Sequence, residues 1–137
     1  MRTGIMGGTF NPPHYGHLRA AEHVRDALEL DKVLFIPTSL PPHKKMPEGS
    51  ATTAQRCKMV EMLIEGCSWA SLSTIEINRG GASYTIDTLR ELHQLGQYGD
   101  LFLIMGTDML MMLDYGWRNA AEICQLCTLA VVAREAG

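Results

Sequence analysis

No hydrophobic run in the 137 residues reaches the ~18 residues that a membrane-spanning helix requires. The first residues, MRTGIMGG, lack the long apolar segment and the small-residue cleavage site of a secretory signal peptide. The sequence therefore predicts no membrane association and a cytoplasmic location.

Cysteine is scarce and scattered. The four cysteines, Cys57, Cys67, Cys124 and Cys127, do not form the dense pattern of a disulfide-stabilised domain, so we expect reduced thiols. Cys124 and Cys127 form a C-x-x-C, but they lie at the end of a predicted helix, whereas a redox pair lies at a helix start that lowers the thiol pKa. We interpret them as two small buried residues.

An excess of positive charge is also missing. The formal net charge is −3, so nothing in the overall charge indicates nucleic-acid binding, although a local anion site remains compatible with it. Hydrophobic residues make up 46% and charged residues 20%, proportions typical of an ordinary globular domain. We predict one domain spanning residues 1–137.

Apolar runs alternate with helix-forming stretches along the chain. Strands are predicted for TGIM, KVLFIP, ASLSTIEI, DLFLIMG and TLAVVAR. Helices are predicted for HLRAAEHVRDALEL, for TTAQRCKMVEMLIEG, with a threonine as its N-cap, and for SYTIDTLRELHQLG, which ends at Gly96. Two short helices are predicted in TDMLMMLDYG and WRNAAEICQL. The strands lack an alternating polar face, which is typical of a parallel sheet covered on both sides. The sequence therefore predicts an α/β fold with a doubly wound, open parallel sheet.

Four loops with unusual composition each follow a predicted strand. They are GGTFNPPHYGHL, PTSLPPHKK, NRGGASYT and GTDML. Ligands of open parallel sheets bind at the carboxyl ends of the strands, so we expect these loops to converge on one rim.

The first of these loops, residues 7–18, combines flexible and stiff backbone. Gly7 and Gly8 have no Cβ and allow a ligand to approach the backbone closely. Their amides, with those of Thr9 and Phe10, can point at a phosphate. The loop matches neither G-x-G-x-x-G nor the Walker A pattern, so it predicts a phosphate site of another kind.

His14 and His17 are three residues apart at the start of the first predicted helix, so they share one face there. A helix N-terminus attracts anions, and an imidazole pair can donate hydrogen bonds to phosphate oxygens. A zinc half-site or two ordinary surface histidines are the alternatives. Zinc takes four ligands, or three and water, and the cysteines fall outside this loop. We favour phosphate and name no protein ligand for a metal.

These segments resemble a known family. His14-Tyr15-Gly16-His17 resembles the (H/T)-x-G-H signature of the nucleotidyltransferase superfamily. IPTSLPPHKK, ASYTIDTL, MGTDML, Trp117 and LAVVAR resemble bacterial nicotinate-nucleotide adenylyltransferases, in order and at the same spacing. The resemblance covers essentially the whole chain and implies a Rossmann-like nucleotidyltransferase fold.

The resemblance also implies an activity. Members transfer the adenylyl group of ATP to nicotinate mononucleotide, which gives nicotinate adenine dinucleotide and pyrophosphate for NAD biosynthesis, with Mg²⁺ and without a covalent intermediate. Such chemistry needs positioning and charge stabilisation, because the attacking phosphate is already an anion. On this resemblance His14 and His17 are catalytic. The expected contacts to ATP phosphates are Gly7, Gly8, Thr9, Phe10, His43, Lys44 and Arg134. For His43 and Lys44 a solvated basic loop is an equal alternative.

The expected mononucleotide site follows the later motifs. Ser83, Tyr84 and Thr85 lie at a predicted helix N-terminus, which suits the carboxylate of nicotinate, although Ser83 as a plain helix cap is the alternative. Asp108 is expected to accept hydrogen bonds from ribose, with a helix N-cap as its alternative. The resemblance implies that Trp117 stacks on the pyridine ring, whereas a lone tryptophan usually belongs to the core.

The chain departs from the family at its end. Family members continue for several dozen residues and carry an I-S-S-T-x-I-R motif that is absent here, and Glu135 stands where proline is usual. We therefore expect a C-terminally incomplete domain whose ATP side is unfinished and whose open sheet edge favours a homo-oligomer. Three alternatives remain: the related pantetheine-phosphate adenylyltransferase, which does not account for ASYT with Trp117, a non-catalytic nucleotide-binding fragment, and a metal-binding regulatory protein.

Overall fold

The computed structural model describes residues 1–39, 46–111 and 119–133. The elements follow in this order: β1 (Arg2–Gly8), α1 (Tyr15–Leu28), β2 (Lys32–Pro37), α2 (Thr53–Ile64), β3 (Ala70–Leu72), α3 (Ile75–Arg79), α4 (Thr85–Leu95), β4 (Asp100–Gly106), α5 (Thr107–Met111), α6 (Ala120–Leu126) and β5 (Thr128–Val132).

The five strands form one sheet in the order β3-β2-β1-β4-β5, and every neighbouring pair is parallel. The chain runs outward from β1 to β3 on one side, then returns to place β4 and β5 on the other. This order confirms the predicted doubly wound sheet, and it puts the reversal of strand order between β1 and β4, where ligands of such sheets bind.

Each face of the sheet is covered by helices. Met6 and Phe35 belong to the apolar cluster that contains Ala21 and Val24 of α1 and Val60 of α2. Ile5 and Leu34, their neighbours along the same strands, belong to a second cluster with Ile86 and Leu89 of α4 and Ile123 of α6. Because adjacent strand residues point to opposite faces, two buried faces explain why the strands are apolar throughout.

Local signals set the helix ends. Thr52 caps α2 in a reciprocal box: its Oγ1 accepts from the Gln55 amide at 3.1 Å, and the Gln55 side chain accepts from the Thr52 amide at 2.9 Å. The predicted threonine cap is thereby confirmed. Helix α4 ends before Gly96, whose φ of 71° is the left-handed conformation that glycine adopts without strain.

One predicted element is wrong. We expected ASLSTIEI to form a single strand, but β3 stops at Leu72 and Ile75–Arg79 forms α3. The loop NRGGASYT therefore begins in a helix and does not follow a strand. β-branched residues favour a strand locally, but here packing against α4, described below, decides otherwise.

Within the described ranges, no helix has both the length and the apolar character needed to span a bilayer.

Candidate active site

The carboxyl ends of the central strands lie side by side. Gly8 of β1 is in register with Pro37 of β2, and Met6 of β1 is in register with Ile104 of β4. The loops that follow these strands therefore start at the same edge of the sheet. The first of them carries both predicted catalytic histidines.

His14 and His17 form a reciprocal cap at the start of α1. His14 is the N-cap residue, and its Nδ1 accepts a hydrogen bond from the Gly16 amide at 3.1 Å. The His17 Nδ1 accepts one from the His14 amide at 3.0 Å. A nitrogen that accepts carries no proton, so each neutral ring has its proton on Nε2. Two Nε2–H donors therefore stand together at a helix N-terminus, with ring centroids 4.0 Å apart.

Gly16 is explained by the same arrangement. A Cβ at this position would lie 2.8 Å from both Cε1 and Nδ1 of His14, because the His14 ring folds back over residue 16. Any larger side chain would push the ring away. The His14 ring can therefore occupy this position only because residue 16 is glycine.

The Phe10 ring packs against the His17 ring. It is 2% exposed and meets the His17 ring edge-on, with centroids 5.0 Å apart. The backbone of Phe10 has a φ of 50°, which is rare for a residue other than glycine. Such left-handed residues are concentrated in functional loops whose conformation the surrounding structure fixes. Burial lowers the pKa of His17, and the nearby His14 ring lowers it further. The lowered pKa favours the neutral ring, in which Nδ1 accepts from the His14 amide and Nε2 carries the proton.

The glycines before this loop leave space above them. A Cβ on Gly7 would meet nothing closer than the Ile36 carbonyl oxygen at 3.8 Å, and one on Gly8 would only touch the Phe10 ring at 3.9 Å. Among the described residues other than the chain neighbours of these glycines, no atom comes closer than ordinary van der Waals contact, so a ligand can approach the backbone there. The predicted contacts of Gly7, Gly8, Thr9 and Phe10 with phosphate stay predictions.

The start of α4 is tied to the loop after β2. The helix begins at Thr85 with Tyr84 as its N-cap residue, so Ser83 is not the cap. The Ser83 hydroxyl is buried and accepts a hydrogen bond from the Ser39 amide at 2.9 Å. This bond brings the predicted mononucleotide segment to the same rim as the histidines.

The remaining predicted residues divide into two groups. Asp108 is exposed in the first turn of α5, directly after β4, and lies inside the helix, one residue beyond its start, not at an N-cap. His43, Lys44, Trp117 and Arg134 lie outside the described residues, so their predicted roles stay predictions.

Sequence reasoning missed two supporting residues. Asn11 fastens the chain ahead of α2, because its side chain donates to the Ser50 hydroxyl at 2.9 Å and accepts from the Ala51 amide at 3.1 Å. Arg56 is buried under the rim, and its contacts are described below. A signal for Arg56 existed: it lies four residues before Val60, in the buried stripe of α2.

Glu76 is a third missed residue, and it explains α3. It is 7% exposed, and its Oε2 accepts from the Thr88 hydroxyl of α4 at 2.7 Å. Arg79 donates to Thr88 at 3.0 Å and to Glu91 at 2.9 Å. Burial raises the pKa of Glu76, while Thr88, Arg79 and Ser83 oppose this and Glu91 adds to it. This network joins α3 to the beginning of α4.

The raised pKa of Glu76 predicts a pH dependence of stability. Folding favours the protonated carboxyl, so this contribution is complete below the ordinary glutamate pKa and is lost as pH rises through the raised value. We expect Glu76→Gln to remove this loss, worth about 1.4 kcal/mol for each unit by which the pKa is raised. Urea unfolding of both proteins between pH 4 and 8 checks it, with exposed Glu61→Gln as control. Parallel stability curves for the wild type and Glu76→Gln would contradict the prediction.

The cysteine prediction is corrected in part. Cys124 is exposed, not buried, whereas Cys127 is partly buried and donates its thiol to the Ile123 carbonyl. Burial raises the pKa of Cys127 to about 11, which is the opposite of the low pKa that a redox thiol needs. In the described ranges no three His, Cys, Asp or Glu residues come together as metal ligands.

An open cleft of about 620 Å³ lies elsewhere, between β2, β3 and α3. Its lining includes Lys32, Arg79 and Tyr98, and none of the residues predicted for the site. This cleft is therefore separate from the candidate site at the start of α1.

Two curated relatives of this chain carry the same name. The probable nicotinate-nucleotide adenylyltransferase of Geotalea daltonii is 46% identical over 135 residues, which cover 98% of this chain and 61% of the relative. That of Geobacter metallireducens is 47% identical over the same shares. The chain thus spans 61% of the length of these relatives. The resemblance predicted from the motifs is confirmed.

A solved structure and a family model agree on the fold. The nicotinic acid mononucleotide adenylyltransferase of Plasmodium falciparum, complexed with NaAD, has a TM-score of 0.75 at 14% identity and covers 98% of this chain and 76% of that one. A similarity at that identity shows the fold alone. The cytidylyltransferase-like family model matches residues 5–136, which include all described rim loops. The chain therefore belongs to the cytidylyltransferase-like family.

Proposed function

We propose that the natural protein carrying this sequence transfers the adenylyl group of ATP to nicotinate mononucleotide. The products are nicotinate adenine dinucleotide and pyrophosphate, as a step of NAD biosynthesis. The observation that carries the proposal is the capped histidine pair, which presents two Nε2–H donors at a helix N-terminus beside an open Gly7–Gly8 backbone. The names of the relatives at 46% and 47% identity support the choice of substrates.

The reaction requires one bond to form as another breaks. An oxygen of the mononucleotide 5′-phosphate attacks the α-phosphorus of ATP, and the bond between that phosphorus and the oxygen bridging to the β-phosphate breaks. The electron pair of the broken bond leaves with pyrophosphate. No general base is needed, since the attacking oxygen is already charged, so catalysis consists of positioning and charge stabilisation.

The histidine pair supplies that stabilisation. Negative charge grows on the α-phosphate and on the departing pyrophosphate, and fixed hydrogen-bond donors aimed at these oxygens lower the barrier. The Nδ1 bonds to backbone amides orient both rings before substrate arrives. The positive end of the α1 dipole acts on the same oxygens. No reorganisation of the rings is needed during the reaction.

Mg²⁺ is proposed to arrive with ATP. It prefers phosphate oxygens and retained water over an all-protein cage, and the described residues offer no cluster of three ligands. When bound, it would neutralise charge on the triphosphate. We assign it no protein ligand.

The mononucleotide is proposed to lie toward α4. Ser83, Tyr84 and Thr85 lie where the first-turn amides of α4 can receive the nicotinate carboxylate. Asp108 is proposed for ribose, Trp117 for the pyridine ring, and His43, Lys44 and Arg134 for phosphates, all on the family resemblance. The predicted cytoplasmic location and self-association stay predictions.

This placement predicts a preference for the acid over the amide mononucleotide. A carboxylate accepts from the α4 amides, whereas a carboxamide brings an NH₂ group against donors and leaves one unpaired. That costs on the order of 1–3 kcal/mol, so we expect about tenfold or more in kcat/KM. Product formation from ATP with each mononucleotide measures it. Equal efficiency would reject the α4 assignment, and no product with either would indicate a binding protein.

A further inference from the structure

Arg56 of α2 is a buried cation without an acidic partner in the described part of the chain. It is 2% exposed, and none of the ion pairs among the described residues includes it. Burial lowers the pKa of Arg56, yet a guanidinium stays protonated in proteins. Arginine is almost never fully buried unless its guanidinium is paired with other groups.

Two carbonyl groups of the rim fix it. The Arg56 Nη1 donates to the Thr9 oxygen at 2.8 Å and to the Thr38 oxygen at 2.8 Å. Thr9 belongs to the loop after β1, and Thr38 directly follows β2. The Thr38 amide also donates to the Gly8 oxygen at 2.9 Å. Three hydrogen bonds therefore connect the end of β1 and its loop, through Arg56 and directly, to the start of the loop after β2.

Each of these carbonyls shares a peptide group with an amide of the proposed site. The Thr9 carbonyl is joined to the Phe10 N–H, which is among the proposed phosphate donors. The Thr38 carbonyl is joined to the Ser39 N–H, which donates to Ser83 ahead of α4. A charged donor on a carbonyl polarises the N–H of the same peptide group and strengthens its hydrogen bond.

We propose that Arg56 is a positioning residue that holds the loop after β1 and the start of α4 in one arrangement. The binding of both substrates then depends on Arg56, although it touches neither substrate. The proposal rests on the proposed function. Its positive charge lies directly under the loop that receives the polyphosphate, which adds a favourable potential for that anion.

The test compares three variants of the natural protein. Arg56→Gln removes the charge, and Arg56→Lys keeps the charge and enough donors for both carbonyls, because a single nitrogen makes both bonds. Lys58→Gln removes an exposed charge from the same helix as a matched control. We expect Arg56→Gln to raise KM for ATP and for the mononucleotide by about tenfold each, and Arg56→Lys to restore most of the loss.

The split between KM and kcat separates positioning from mere stabilisation. If Arg56 only stabilised the fold, a smaller active fraction would lower apparent kcat at unchanged KM, and the proposal would be overturned. A KM increase in only one substrate would overturn it as well.

Amide hydrogen exchange tests Arg56 even if the proposed function fails. The Ser39 amide is expected to exchange about tenfold faster in Arg56→Gln than in the wild type and in Lys58→Gln, because the Thr38–Ser39 peptide group that carries this N–H is no longer held in place. Unchanged exchange would overturn the proposal, while absent product formation would count against the proposed function alone. Should Arg56→Gln lack a cooperative thermal transition, Arg56→Lys decides: wild-type protection at Ser39 supports the proposal, and faster exchange in the folded variant overturns it.

Discussion

Replacing His17 by alanine is expected to lower the turnover of the natural protein by about 10²–10³-fold, the cost of losing one preorganised donor to a developing oxyanion. Mononucleotide binding should weaken far less, because the Nε2–H of His17 is proposed to serve the α-phosphate of ATP. The lowered pKa favours the neutral ring, and the bond that Nδ1 accepts from the His14 amide then keeps the proton on Nε2. Steady-state kinetics with both substrates, beside calorimetric titration of the mononucleotide, measures the two effects separately.

His23→Ala is the matched control, since His23 is an exposed histidine of the same helix. The loss of the bond from the His14 amide to His17 weakens the helix cap, so thermal unfolding of each variant must accompany the kinetics. Near-normal turnover in a folded His17→Ala protein would remove His17 from catalysis. An equal loss in His23→Ala would show that the effect is general to α1.

Replacing Gly16 by alanine is expected to lower turnover by about 10²-fold, because displacing a catalytic group by about 1 Å has this effect. The added Cβ would lie 2.8 Å from the His14 ring, which must move. Stability should hardly change. Alanine favours a helix over glycine by about 0.8–1 kcal/mol. That gain offsets the loss of the His14 cap bond, which costs about 1 kcal/mol.

A double-mutant cycle decides whether Gly16 acts through His14. In a protein that already carries His14→Ala, the further change Gly16→Ala should have little additional effect on turnover, because no ring is left to displace. Independent, additive losses would contradict this account. A large fall in melting temperature for Gly16→Ala alone would show that the helix, and not the ring, had been damaged.

Local sequence patterns determined most of the architecture. KVLFIP, stopped by Pro37, formed β2 with the predicted bounds, and DLFLIMG formed β4. The predicted threonine cap begins α2 and Gly96 ends α4 at the expected places, because caps act over a few residues. Alternation of such elements is enough to favour a parallel sheet, and the spacing of His14 and His17 was enough to put both rings at one helix start.

Only the tertiary structure determined secondary structure and hydrogen-bond partners at the places where long-range contacts override local sequence preference. ASLSTIEI has the composition of a strand, but Ile75–Arg79 forms a helix. In this helix the Glu76 carboxylate accepts a buried hydrogen bond from Thr88 of α4. Ser83 was expected at a helix start, but its hydroxyl serves the Ser39 amide 44 residues away in sequence. Neither partner can be found by periodicity, because periodicity reports one element at a time.

Arg56 shows the same limit within the site. Its spacing from Val60 puts it on the buried face of α2, but the carbonyls that it contacts lie 47 and 18 residues away in sequence, and no local pattern points to them. The direction in which the histidine rings present their protons is likewise set by backbone amides and, for His17, by the Phe10 ring that meets it edge-on. The sequence determined which groups are present and on which elements they lie. The folded backbone alone decided which carbonyl, amide and ring each of them meets, because those partners come together only when the sheet has formed.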